Sequence, residues 1–448
     1  MLRKPVCGLR KSVYGLILGL SLSSATLADE WPQWMGPNRD GLWKETGIVD
    51  SIPESGLPVL WRVPIGGGYS GPSIAKGRVL VTDYKAVNPE VNNDPSTRDR
   101  REGKERIVCL DFKTGAELWK VEYPRPYSVS YAVGPRATPT IDGDLAYCLG
   151  AEGDLLCLKL ETGEEVWKMN LNKVYKVETP IWGHSAHPLV KGDLLYCLAG
   201  GKDHLVVALD KRTGKEVWGA LNAEEIGYCP PSIATINGVE QLIVWTPNTV
   251  AGLDLKSGKT NWSYPLAPDY AMSISAPRFQ GNKFFASGIG EVAAMVEIDK
   301  SGKPGKTLWS GGDMKKGVYS ASATPLWIGD VIYGADCGSG KFIAVDSTNG
   351  KRLWETYKLT AGGERRASHG TAFMVQNDWR SFLFAETGDL ILAKLSKEGF
   401  EEKGRMKVVE PTGECFGRSV VWSHPAFANR CVVVRNDKEI VCVNLAAK

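Results

Sequence analysis

One short phrase recurs along this chain, and its period limits the folds open to it. "ALDKRTGKEVW", residues 208–218, is a strand ending in Asp210, a Thr-Gly turn at Thr213 and Gly214, and a Trp four residues later. Variants of it end at Trp119, Trp167, Trp262, Trp309 and Trp354, and the copy before Trp309 carries three extra residues after its glycine. A worn copy, "LAKLSKEGF" at 392–400, has neither Asp nor Trp. Repeats of this length build stacked units or a propeller. Upstream of each copy, segments such as "ATPTIDGDLAYCLG" read as two strands about a Gly turn, and the Trp opens a further strand. Four strands per unit with almost no helix is the content of a propeller blade.

The orphan ends supply the count. Trp61 lies in "PVLWRVPI" with no turn before it, and the last copy, "CVNLAAK", has no outer strand after it. From Trp61 to Leu445 is 384 residues, or eight repeats of 48. Eight second-strand openings follow Gly77, Gly143, Gly192, Gly238, Gly281, Gly329, Asn377 and Asn429. The expectation is therefore an all-β chain: an eight-bladed β-propeller of four-stranded antiparallel blades over residues 57–448. An N-terminal strand around Trp61 closes its ring and removes the open edge. A seven-bladed count requires discarding the worn copy. In each turn the Gly supplies a positive φ while Asp and Thr or Ser bond locally. The indoles of Trp61, Trp119, Trp167, Trp218, Trp262, Trp309 and Trp354 are flat, with one donor each, and suit the seams between blades. These residues are frame rather than active site.

Residues 1–28 stand apart. Arg3, Lys4, Arg10 and Lys11 precede the apolar run "SVYGLILGLSL", and "SSATLA" places small residues before a cut after Ala28. This order reads as a secretory signal, with an uncleaved anchor as the competing reading, and no later apolar run is long enough to cross a membrane. Residues 29–56 then form an N-terminal extension. Without the signal, 50 basic residues face 51 acidic ones, a balance that gives no argument for nucleic acid or an anionic membrane surface. Nine cysteines remain, with no Cys-x-x-Cys, and no metal framework is expected. Cys148 and Cys157 flank "AEGD", and Cys431 and Cys442 are symmetric about Asn436-Asp437. Two-residue turns would set each pair directly opposite as candidate disulfides of an exported protein. The alternative is that each thiol is a small apolar filler.

The motif Ala-x-Asp-x-x-x-Gly-x-x-x-Trp resembles the tryptophan-docking repeat of the pyrroloquinoline-quinone (PQQ)-type propellers. That family includes quinoprotein alcohol and glucose dehydrogenases and the non-enzymatic scaffold lipoprotein of the outer-membrane β-barrel assembly machine. The resemblance covers about residues 31–448, and "WPQWMGPNRDGLW" is similar to the opening of exported bacterial propellers of this type. It implies the fold both branches share and leaves function to a site. Against the dehydrogenase branch, the adjacent Cys-Cys pair of many such enzymes is absent; against the lipoprotein, the lipidation Cys expected at the end of the apolar run is missing. The reading is an exported binding or scaffold module of the cell envelope, periplasmic or extracellular. Its partner is a protein or small molecule, with no cofactor. The alternative is a quinoprotein oxidoreductase using PQQ with calcium.

The candidate site is the mouth of the central channel, where the innermost strands begin. His184 and His187 in "WGHSAHP", His369 in "ASHGT" and His424 in "WSHP" fall there, with Arg136, Arg278, Arg418, Trp182 and Trp422 near equivalent positions. Such a cationic, aromatic mouth suits an anionic or planar ligand. The competing reading is that these residues cap strand ends and fill the channel. As a metal site the set is weak, because His187 and His424 belong to the third and eighth blades and are expected to stand well apart, both partly exposed. On the same face lies "DYKAVNPEVNNDPSTRDRREGKER", a charged insertion in the first blade, read as a solvated loop or a lid.

Overall fold

A computed structural model describes residues 1–2, 30–88 and 90–447. The expected signal segment therefore lies outside the described residues, apart from Met1 and Leu2. Eight four-stranded antiparallel sheets follow one another as blades of a ring. The first is Ser73–Ala75, Arg78–Ala86, Gly103–Asp111 and Glu117–Pro124, and the pattern repeats to the seventh, which starts at Ala372–Asn377. The eighth combines Ala426–Ala428, Cys431–Arg435 and Glu439–Asn444 with the N-terminal strand Val59–Pro64, which pairs antiparallel with Glu439–Asn444. The ring closes as the orphan ends predicted.

The docking tryptophans share one geometry. Trp61 Nε1 donates to the Phe112 carbonyl of the next blade at 2.8 Å. Trp119, Trp167, Trp218, Trp309 and Trp354 donate to Leu160, Lys211, Leu255, Ser347 and Ser396, each at 2.8–3.2 Å. The acceptor is always the residue after the strand-end position, the Asp of intact copies. The turn glycine lies beneath the ring: at Gly214, φ is +71° and a Cβ would fall 2.8 Å from Trp167. Trp262 departs from this. The three extra residues displace the next turn, so its Nε1 donates to Gln241 Oε1 of its own blade at 3.0 Å.

The seam after the worn repeat is filled differently. The seventh blade has no docking Trp: at the bulge where Trp218 faces Ala208 in the third blade, its outer strand sets Gly404 opposite Leu392, and Phe400 packs back on Trp354 with ring centroids 5.7 Å apart. The N-terminal extension takes over. Trp43 packs on Phe382 of the seventh blade and Phe427 of the eighth, at 5.9 and 5.2 Å. Further on, Ile52 N bonds the Lys403 carbonyl, and Ile48 bridges to Ala446.

The candidate disulfide Cys148–Cys157 is corrected, and the direct opposition expected of Cys431 and Cys442 is not found. The turn between Leu149 and Asp154 has four residues, Gly150–Gly153, so Cys148 pairs with Leu156 and Cys157 with Tyr147. One residue out of register, the two thiols point to opposite faces of the blade. Cys431 lies opposite Asn444 and Cys442 opposite Val433, which sets them diagonally on one face. All four are buried, and the Cys431 and Cys442 side chains hydrogen-bond each other. Among the described residues, no helix is long and apolar enough to cross a membrane.

Candidate functional site

Each innermost strand is preceded by a loop that must turn inward from the outer strand of the previous blade. All eight loops bring a side chain to one cavity of about 680 Å³ at the channel mouth. They contribute Tyr69, Tyr131 with Arg136, Trp182 with His187, Tyr228, Tyr270 with Met272, Ser322 with Thr324, His369, and Trp422 with His424. Phe416, from the short hairpin Gly413–Cys415 and Arg418–Val420, completes the wall. No Asp, Glu, Asn or Gln lines the cavity among the described residues.

The floor comes from the N-terminal extension. Trp31 bridges to Ile74, and the Pro32 carbonyl accepts from Ile141 N, so the segment crosses the channel along the inner strands. Trp34 then stands inside it, stacked on His187 with centroids 4.9 Å apart and donating to His424 Nε2 at 3.2 Å. Below, Arg39 is 4% exposed and donates to the carbonyls of His187, Pro188 and Pro231 and to Gln33 Oε1. No carboxylate pairs with it among the described residues. Burial lowers its pKa to about 9, which still leaves it charged at pH 7.

His187 and His424 are therefore not far apart: their ring centroids are 5.9 Å from each other. The inner strands converge on a narrow channel, so positions on the third and eighth blades meet around Trp34. Nor is His187 partly exposed, at 6%. Thr138 N donates to its Nδ1 at 2.8 Å, which puts its proton on Nε2, and the bond from Trp34 likewise puts the His424 proton on Nδ1. Burial holds His424 down to about 3 and His187 well below its ordinary value, so both rings are neutral donors at pH 7. Neither remaining N–H has an acceptor among the described residues.

The other predicted residues separate by role. Arg136 lines the cavity, donating to the carbonyls of Gly134, Ser130 and Tyr131 with its guanidinium 5.4 Å from the Tyr69 ring centre. No carboxylate lies within salt-bridge reach of it among the described residues. Trp182 and Trp422 are wall residues. His369 is one too, stacked on Phe416 at 4.9 Å, with the Cys337 thiol 3.3 Å from its Nδ1. Three residues stand outside the cavity lining. Arg418 forms a two-point pair with Glu386 at 2.7 and 3.1 Å. Arg278 donates to the Arg39 and Asp40 carbonyls and anchors the extension. His184 bonds Asn172 Oδ1 at 2.7 Å and is buried.

The charged insertion is partly built in. Its strand Asp99–Arg101 pairs with Tyr127–Val129, the Pro95 carbonyl accepts from Trp182 Nε1 at 3.1 Å, and Pro95 and Ser96 reach the cavity. Sequence reading missed Trp34, Tyr69, Tyr131, Tyr228, Tyr270, Met272 and Phe416. The signal for the four tyrosines was present, since each falls in the loop before an innermost strand. Tyr131, Tyr270, His369 and Phe416 line the cavity at positive φ, 50°, 58°, 60° and 47°, four of the sixteen non-glycine residues in that region among the described residues.

A family model described as "Outer membrane protein assembly factor BamB" matches residues 103–356. No curated protein matches the chain in sequence. Among solved structures, BamB from Moraxella catarrhalis is 13% identical with a TM-score of 0.56, over 87% of this chain and 97% of that one. A europium-containing methanol dehydrogenase is 14% identical with a TM-score of 0.59, over 93% and 89%. Quinohemoprotein alcohol dehydrogenase from Comamonas testosteroni is 11% identical with a TM-score of 0.58, over 94% and 81%. Identities this low establish the shared propeller, and both BamB and dehydrogenases share it.

Proposed function

Because the chain belongs to the family described as outer membrane protein assembly factor BamB, we propose that it is an exported, non-enzymatic binding propeller of the cell envelope that takes its ligand into the floored aromatic cavity. The observation that carries this reading is the lining itself. Aromatic walls, neutral imidazoles and one fixed guanidinium can hold and orient a ligand. They do not supply a carboxylate base or an oxygen cage. Export rests on the basic, apolar and small-residue order of residues 1–28.

The dehydrogenase branch implies PQQ with calcium, and the residues present do not fit that pair. Trp182, Trp422 and Arg136 suit a planar anionic ring. Calcium, however, takes six to eight oxygen ligands, commonly carboxylates, and the cavity lining has no Asp, Glu, Asn or Gln. Nor do the described residues hold a cluster of three His, Cys, Asp or Glu suited to a metal. The test is to add PQQ and calcium to the purified protein and follow dye-coupled oxidation of alcohols and sugars. No turnover is expected; oxidation that requires both additions would overturn the non-enzymatic reading.

A further inference from the structure

We propose that the cavity selects a hydrophobic, ring-containing molecule bearing a single negative charge, and that Arg136 receives that charge. This rests on the binding reading above and names the ligand class for the same cavity.

Charge balance comes first. Two guanidiniums adjoin the cavity, Arg136 in the wall and Arg39 under the floor, and both are held by carbonyl oxygens or an amide instead of by acids. Every other arginine of the predicted mouth is neutralised or spent: Arg418 on Glu386, Arg278 on the extension backbone. Arg136 thus faces the space with no acid partner of its own, and walls of low polarity strengthen its field there. Only Arg136 is in contact with the space, which sets the number of ligand charges at one.

The remaining chemistry excludes the alternatives. Aromatic cages attract quaternary ammonium groups, but here Arg136 already lies over the Tyr69 face and repels a second cation. Sugars need acid and amide side chains for their hydroxyls, and the lining offers none. The free N–H groups of His187 and His424 donate without adding charge, and so suit a neutral acceptor at the deep end of the ligand. The cavity's volume of about 680 Å³ lies within the usual range of small-molecule sites. At the rim, Tyr270 is 75% exposed and Phe416 49%, rings that a ligand reaching out of the mouth would cover.

The experiment uses two fluorescent probes with one ring skeleton. 8-Anilinonaphthalene-1-sulfonate carries a single sulfonate; N-phenyl-1-naphthylamine has the same rings and no charge. The sulfonate is expected to saturate at one per chain and to bind at least about tenfold tighter than the amine. Raising salt from 0.05 to 0.5 M should weaken the sulfonate and leave the amine unchanged. Arg136→Gln should abolish the difference and Arg136→Lys should retain most of it, in variants whose melting matches the parent. The salt comparison needs no variant, so it holds even if Arg136→Gln does not fold. Equal binding of the two probes, or tighter binding of phenyltrimethylammonium, would overturn the proposal and leave the binding reading standing. If no probe saturates, the cavity is not a binding site and both fall.

Discussion

Trp34 donates its indole N–H to Nε2 of His424, 390 positions further along the chain, and the bond closes the floor of the central cavity. The N-terminal extension is thus part of the site and, through Trp43, part of the blade packing.

Trp34 and Trp218 are both buried, but they should fail differently. Replacing either with Ala is expected to cost on the order of 3–5 kcal/mol, the range for a core Trp. Trp218 sits at a seam, bonded to the Leu255 carbonyl, so probe affinity should survive its loss. Trp34→Ala should also weaken N-phenyl-1-naphthylamine by tenfold or more. Chemical denaturation and titration of both variants check this. Equal affinity in the two would mean that Trp34 is only packing.

The turn glycines provide a matched pair. Gly258 has φ +70° and a Cβ there would fall 2.5 Å from the Trp218 ring; Gly143 has φ +59° and nothing within 4 Å. Both Gly→Ala changes carry the left-handed backbone cost, about 1–2 kcal/mol. Gly258→Ala should cost a further ~1–3 kcal/mol, the range for overpacking, and the difference should shrink in a Trp218→Leu background. Urea midpoints of the four variants measure it.

The closing strand is testable by removal. Deleting residues 57–65 takes away Val59–Pro64 and bares the Glu439–Asn444 edge. Light scattering should then show aggregation, and the melting midpoint should drop. A monomeric product with the parent's melting curve would contradict the closure.

Acid should weaken the fold through buried histidine. Burial pulls His184 down to about 4, whereas the unfolded chain protonates near 6.5. The unfolded state therefore binds the proton first. Stability present above pH 6.5 is lost as pH falls toward 4, by at most ~3 kcal/mol for this residue. Comparing urea unfolding at pH 7.5 and 4.5 tests the sign. His184→Gln, which keeps a donor for Asn172, should flatten the slope.

The frame was legible because its chemistry is local and repeated. Asp210, Gly214 and Trp218 each satisfy a neighbour a few residues or one blade away, so spacing alone revealed blade count and closure. The site was less legible because it is assembled from eight separate loops. Position in the repeat found His187, His424, Arg136, Trp182 and Trp422, yet misjudged the distance between the two histidines, which depends on channel width and on Trp34. The same rule placed Arg418 at the mouth, where Glu386, 32 residues away, takes its charge. A register shift of one position at Cys148 and Cys157, and of two at Cys431 and Cys442, undid the directly opposed cysteines. Nothing local in "WPQWMGPNRDGLW" said that it would cross the channel.

The central claim, that the floored cavity is the binding site, is tested most directly by filling it. Ser322 lines the cavity and is only half-buried, so a larger side chain has room to enter. Ser322→Trp should leave the melting midpoint within a few degrees and remove saturable binding of both naphthalene probes. Undiminished one-per-chain binding in the filled variant would contradict the account.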